Sequence, residues 1–267
     1  MKRYADMFTA LRHEGRAAFV PFTMLGFPDV NACAEHLELL ARHADALELG
    51  VPFSDPVADG PTIQRAAVKA LQADAGLERC LELVRGVRQR HPSLPIGLLV
   101  YANPVVHVGL EFFYRRAAEA GADSVLVADV PSEEGAPFAA AARAAGVAPV
   151  FIAAPNTGEA ALGRIAGLGA GYTYVLTRAG VTGTERAAGT PARALLEALA
   201  ECGAPPPVLG FGVSSPEHVR AGAAAGAAGV ISGSAVVSML ERLAAGETTL
   251  EASSEWLESM RAATVYE

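Results

Sequence analysis

Several protein classes are excluded by what this chain of 267 residues lacks. Its three cysteines, Cys33, Cys80 and Cys202, are isolated and form no CxxC pair. That speaks against a disulfide framework or a zinc site and fits a reducing cytosol. No stretch approaches the roughly 18 uninterrupted apolar residues of a membrane span, and the start, Met1-Lys2-Arg3-Tyr4-Ala5-Asp6, has no apolar core of a signal peptide. No Lys/Arg run stands out and the formal net charge is -8, so neither a membrane nor a nucleic-acid partner is expected. A G-x-G-x-x-G turn after the first strand-like run is absent, which removes the main signal of an open dinucleotide-binding sheet. None of the six histidines falls in a motif; they read as surface residues or helix ends, and no metal set is seen. No Lys stands at a strand end, where a Schiff base would form.

What is present is apolar and periodic. Hydrophobic residues make up 51% of the chain and charged residues 19%, enough for a large core and against disorder. Residues 4 to 13 read as an amphipathic helix with Met7, Phe8 and Leu11 on one side, placed to plug the bottom of a barrel. Residues 17–23 read as a first strand, and Asn31 as the cap of a helix to His43. A unit then repeats: a helix, an Ala/Gly-rich corner, and a short apolar strand. These strands are expected at 46–49, 95–101, 124–128, 148–153, 172–176, 207–211 and 229–232. Glycine suits the corners because it adopts positive φ at the end of a helix. Short, continuously apolar strands alternating with helices imply parallel βαβ units buried on both faces. Eight of them in this length predict an α/β fold, a (β/α)8 TIM barrel over residues 1–267 as one domain. An extra N-terminal helix and a short phosphate-site helix after strand 8 complete it.

In such a barrel the site lies on the loops at the C-terminal ends of the strands. The loop after strand 2 stands out. Leu47-Glu48-Leu49-Gly50-Val51-Pro52-Phe53-Ser54-Asp55-Pro56-Val57-Ala58-Asp59-Gly60-Pro61-Thr62 opens as a strand and closes as a helix. The connection is longer than the usual two to six residues and rich in carboxylates. If Leu47 and Leu49 face the outer helices, Glu48 faces the barrel interior, where desolvation raises its pKa toward the range of a general acid. The alternative is an outward Glu48 paired with an Arg. Asp59 and Asp55 are both candidates for a better solvated, ionised partner, and both also suit a turn or helix cap; local chemistry does not rank them.

The opposite end of the site is expected where glycines follow strands 7 and 8: Gly210-Phe211-Gly212-Val213-Ser214-Ser215-Pro216, and Ser232-Gly233-Ser234-Ala235 opening a helix to about Arg242. Backbone amides and a helix dipole there favour phosphate. Thr182-Gly183-Thr184 lies in a long, polar, Gly-containing loop, 177–190, that reads as a lid. Phe22, Tyr101, Tyr174 and Phe211 are candidates for a flat apolar slot, and Trp256 for packing.

With these stretches in view, the chain resembles the tryptophan synthase alpha chain family. The carriers are 47–64, Val125-Leu126-Val127-Ala128-Asp129-Val130-Pro131, Thr182-Gly183, 210–216 and Ile231-Ser232-Gly233-Ser234-Ala235, in the family's order. The resemblance implies aldol-type cleavage of indole-3-glycerol phosphate to indole and glyceraldehyde 3-phosphate in the cytoplasm. It implies no cofactor in this chain, and a pyridoxal-phosphate beta subunit as partner in an alpha2-beta2 heterotetramer that receives the indole through a channel. It assigns Glu48 as proton donor to the indole ring carbon and shuttle, and Asp59 as stabiliser and acceptor at the indole nitrogen. Substrate contacts fall on Phe22, Leu99, Tyr101, Ala128, Ile152, Tyr174, Thr182 and Phe211, phosphate contacts on Gly183, Gly212, Gly233 and Ser234, and the partner-facing surface on Asp55. One stretch departs: Thr23-Met24-Leu25-Gly26-Phe27-Pro28-Asp29 stands where family members often have Thr followed by Gly-Asp-Pro, so the contacts of that loop, including any coupling to 51–60, are left open. Two other readings are a stand-alone indole-glycerol-phosphate lyase and a catalytically idle regulatory partner of a beta subunit; intact Glu48 and Asp59 argue against the second.

Overall fold

The computed structural model describes residues 2–176, 190–210 and 212–266. Its eight parallel strands are β1 Ala18–Met24, β2 Leu47–Gly50, β3 Ile96–Val100, β4 Ser124–Val127, β5 Ala148–Ala153, β6 Thr173–Leu176, β7 Pro207–Gly210 and β8 Gly229–Ser232. They pair in sequence order, and β8 returns to β1 to close the barrel. The strands are four to seven residues long and almost wholly buried, which is why each reads as an unbroken apolar run.

Helices wrap the barrel: α1 Lys2–Glu14, α2 Val30–His43, α3 Pro61–Gln72, α4 Leu77–Arg90, α5 Ala102–Val108, α6 Leu110–Ala120, α7 Gly135–Ala144, α8 Glu159–Leu168, α9 Thr190–Glu201, α10 Pro216–Ala224, α11 Ser234–Ala244 and α12 Leu250–Ala262. Two helices, rather than one, follow each of β2, β3 and β8. The helix expected after strand 8 is α11, two residues longer than predicted.

Local sequence accounts for the boundaries. Pro61 opens α3 at a position where its missing N–H has no helical partner. Gly121 ends α6 with φ +99°, a left-handed cap that strains any residue with a Cβ. The cap of α2 is Asp29, not Asn31: its carboxylate accepts from Asn31 N and Ala32 N, both at 3.0 Å, so the helix starts two residues earlier. His36 also departs from expectation. It is buried in the middle of α2, and burial lowers its pKa by disfavouring the imidazolium.

α1 covers the N-terminal end of the barrel. Tyr4, Phe8 and Leu11 are its buried residues, at spacings that share one helix face, while Met7 is half-buried. Asp123, at the foot of β4, accepts from Arg88 at 2.6 Å, Arg3 at 2.8 Å and Ile96 N at 2.9 Å. Asp45, before β2, takes both guanidinium nitrogens of Arg16 at 2.8 Å and Arg261 at 3.1 Å. These buried carboxylates fix the end of the barrel away from the site. Trp256 packs half-buried against the core.

The register sets the barrel's interior. Phe22, Glu48, Gly97, Ser124 and Ala148 are successive partners on β1 to β5 and form one belt of residues. Phe22 and Glu48 therefore face inward, while Leu47 and Leu49 are buried on the outer side of β2.

Candidate active site

The loop from Val51 to Gly60 crosses the mouth of the barrel. It leaves β2 with Val51 N donating to Leu99 O at 2.9 Å, and turns through Val57 N to Asp55 O and Asp59 N to Pro56 O at 2.9 and 3.1 Å. Its far end is held by Tyr101. The Tyr101 hydroxyl accepts from Ala58 N at 3.1 Å and donates to Asp59 Oδ2 at 2.9 Å. The Phe53 ring lies against the Tyr101 ring with centroids 5.5 Å apart. Burial pushes the Asp59 carboxyl up to about 6, against the opposing effect of the Tyr101 hydrogen bond. Asp55, by contrast, is exposed at the loop tip, where Ser54 Oγ donates to its carboxylate. The two aspartates that local sequence could not rank differ in position: Asp59 faces inward and Asp55 outward.

Glu48 is fully buried on the inner wall of β2. Its Oε2 accepts from the Tyr172 hydroxyl at 2.5 Å, and Oε1 has no hydrogen-bond partner among the described residues. Desolvation raises this carboxyl to about 7 against the lowering effect of Tyr172, so near neutrality it is divided between acid and carboxylate. The carboxyl points down the barrel, toward Tyr172 and away from the open cavity.

That cavity, about 430 Å³, sits at the C-terminal ends of the strands. Phe22, Leu99, Ala128, Ile152 and Tyr174 line it, as does Asp59. Gly212, Gly233 and Ser234 line it at the other end. Gly212 has φ +77°, which a side chain would strain. Gly233 is the N-cap residue of α11, so the first turn of that helix presents free backbone N–H groups at the cavity. Ser232 Oγ donates to Val213 O at 2.7 Å and ties the end of β8 to the loop after β7, which brings the two glycine corners together.

Ten of the residues singled out in the sequence are thus on or beside one cavity: eight on its wall, Phe22, Leu99, Ala128, Ile152, Tyr174, Gly212, Gly233 and Ser234, with Asp59 also on the wall and Tyr101 behind it. Glu48 lies beneath the wall and Asp55 outside it. Thr182, Gly183 and Phe211, with residues 177–189 of the lid expected over 177–190, lie outside the described residues; residue 190 opens α9.

Other wall residues had no role assigned from the sequence: Asp129, Pro131 and Ser214 stand there only as parts of motifs, and Ser132 not at all. The rule that favours residues just past each strand would have found them. Asp129 also accepts from Ala102 N at 2.7 Å and so fixes the start of α5. Tyr172 was missed for a different reason. It precedes β6, at the end of the strand remote from the mouth, where no rule about loops points.

The loop after β1, where the sequence departs from the family's pattern, packs against the end of β2. Leu25 and Phe27 are buried, and Leu25 N donates to Gly50 O at 2.8 Å. The loop is thereby bonded to the last residue of β2, immediately before the 51–60 segment.

A closed barrel with an apolar cavity at its strand ends, and two carboxyl groups of raised pKa at and under that cavity, belongs with the (β/α)8-barrel enzymes. Comparison with known proteins narrows the class. The model of the tryptophan synthase alpha chain family matches residues 8–265, and the chain belongs to that family. It is 53% identical over 244 residues to the tryptophan synthase alpha chain of Shewanella amazonensis, covering 91% of this chain and 92% of the relative. It is 50% identical over 266 residues to that of Klebsiella pneumoniae subsp. pneumoniae, covering 99% of each. Among solved structures, tryptophan synthase of Mycobacterium tuberculosis superposes with a TM-score of 0.90 at 28% identity over 99% of both chains.

Proposed function

We propose that this chain cleaves indole-3-glycerol phosphate to indole and glyceraldehyde 3-phosphate as the alpha subunit of a tryptophan synthase. The observation that carries this reading is family membership over residues 8–265, joined to an apolar cavity walled by Asp59 at one end and the N-terminus of α11 at the other.

The geometry suits the chemistry. Phe22, Leu99, Ile152 and Tyr174 supply apolar surface for a flat bicyclic ring. Gly212, Gly233 and Ser234 supply amides and a helix dipole for the phosphate. Between these ends the ring carbon takes a proton from Glu48, and positive charge develops toward the ring N–H, where the Asp59 carboxylate stabilises it. The glycerol hydroxyl then loses its proton as the bond to the ring breaks. That proton returns to Glu48, so the enzyme is regenerated and no electrons are exchanged with a cofactor. Glu48 must first swing its carboxyl up from Tyr172 to meet the ring.

The partner is a beta subunit carrying pyridoxal phosphate, in an alpha2-beta2 assembly of the cytoplasm, with indole passed across the interface. Support on this chain is the tip of the 51–60 loop, where Asp55 is exposed and Val57 is 72% exposed although apolar. Among the described residues no helix is long and apolar enough to cross a membrane. Indole release from indole-3-glycerol phosphate, measured with and without a beta subunit, is the test. Strong activation by the partner is expected. Full activity of the isolated chain would mean a stand-alone lyase, and no indole under either condition would mean an idle regulatory barrel.

A further inference from the structure

The seat that holds the Glu48 carboxyl has a wall made of nothing. Gly97 on β3 is the register partner of both Glu48 on β2 and Ser124 on β4. A Cβ built on Gly97 would lie 2.5 Å from Glu48 Oε2, 2.9 Å from Ser124 Oγ and 3.1 Å from the Tyr4 hydroxyl. The first two distances are closer than packed atoms tolerate. The backbone of Gly97 is outside the left-handed region, so no turn or strained angle calls for glycine here. Space alone does.

Three polar groups converge on that space. Tyr4 from α1 and Ser124 from β4 share a hydrogen bond of 3.0 Å. Tyr172 holds Glu48 Oε2, and its ring lies 5.5 Å from that of Tyr4. The carboxyl occupies the gap left by the missing side chain and is kept out of the cavity above.

We infer that Gly97 is a positioning residue: its lack of a side chain creates the buried seat for the Glu48 carboxyl, and any side chain there drives the carboxyl toward the substrate cavity. The inference rests on the proposed role of Glu48 for its consequence in catalysis, but not for the seat itself. In the seat the carboxyl is desolvated; in the cavity it meets water and ionises more readily.

The test is a carbon-13 NMR titration of protein labelled at the glutamate side-chain carboxyl carbon, with Glu48→Gln to assign the resonance. In the native chain the Glu48 signal is expected to titrate near 7. In Gly97→Ala it should titrate at least about one unit lower, a tenfold change in the ionisation constant. In Tyr172→Phe, which keeps the space and removes the donor, it should titrate higher. The upper limb of the pH profile of indole release should follow the same shifts. A Gly97→Ala signal that stays in place or moves up overturns the inference. Should Gly97→Ala not fold, Gly97→Ala with Glu48→Ala must recover the native melting transition; failure to recover puts the clash elsewhere and also overturns it. Absence of indole release from native protein counts against the enzymatic reading alone, because the titration needs no turnover.

Discussion

The Tyr101 hydroxyl stands 2.9 Å from Asp59 Oδ2 and donates to it, while the same oxygen accepts from Ala58 N at 3.1 Å. One side chain at the end of β3 thus fixes both the backbone and the carboxylate of a loop that leaves β2. A loop is ordinarily free to move; this one is pinned at its far end, where its carboxylate lines the cavity.

Replacing Tyr101 with Phe removes both bonds and leaves the ring contact with Phe53. A hydrogen bond to a charged group contributes about 1.5–3 kcal/mol, so the melting temperature should fall by a few degrees and, with Asp59 no longer held, kcat/KM for indole release should fall about tenfold or more. Steady-state kinetics beside a thermal melt check this. Unchanged kcat/KM would mean that Asp59 is placed by other contacts.

The two carboxyls give the reaction opposite pH limbs. Asp59 must be ionised and is raised to about 6; Glu48 must be protonated and is raised to about 7. Indole release should therefore rise as the pH passes about 6 and decline above about 7, a narrow bell in kcat/KM. A profile flat between 5 and 8 would count against this assignment of acid and base.

The same shifts act on stability. Both folded-state values lie above the unfolded ones, so the native chain binds more protons between them, and stability is lost as the pH rises through about 6 and 7. Glu48, raised to about 7, makes the larger contribution, on the order of 3 kcal/mol. Glu48→Gln, which cannot ionise, should melt several degrees above native protein at pH 8 and close to it at pH 4. Equal melting temperatures at both pH values would contradict the desolvation of Glu48.

The Tyr174 ring packs directly over Gly210. A Cβ at Gly210 would come within 2.2 Å of the Tyr174 hydroxyl and 2.3 Å of the ring. Gly210→Ala should push this ring into the substrate slot and lower kcat/KM at least tenfold. Adding Tyr174→Leu should restore part of the loss, with a coupling energy of about 1 kcal/mol or more between the two sites. Additive losses would mean that the ring is not what the alanine displaces.

Much of this was legible in the sequence, for physical reasons that differ by residue. The strands are apolar on both faces and follow Ala/Gly-rich corners, so β5 and β8 are placed to the residue and the others to within one. Glu48 could be read as buried because Leu47 and Leu49 take the outer face of β2, and alternation along a strand then turns Glu48 inward. The cap of α2 was misplaced because Asp29 and Asn31 are equally good caps and only the backbone at Asp29, extended with φ -147°, decides. Tyr101 was read as an aromatic wall, although its hydroxyl is what acts. The depth of the Glu48 carboxyl could not be read at all: it depends on Tyr172, 124 residues away, and on the empty side of Gly97, which composition and spacing do not encode.

The most direct measurement is indole release from indole-3-glycerol phosphate by the native chain, Glu48→Gln and Asp59→Asn, each assayed with a beta subunit present. Native protein is expected to release indole, and each variant to lose at least about 10²-fold in kcat, the usual scale of a positioned proton-transfer group. Undiminished turnover by Asp59→Asn, or no indole from the native chain, would contradict the reaction and the roles given to these two carboxyls.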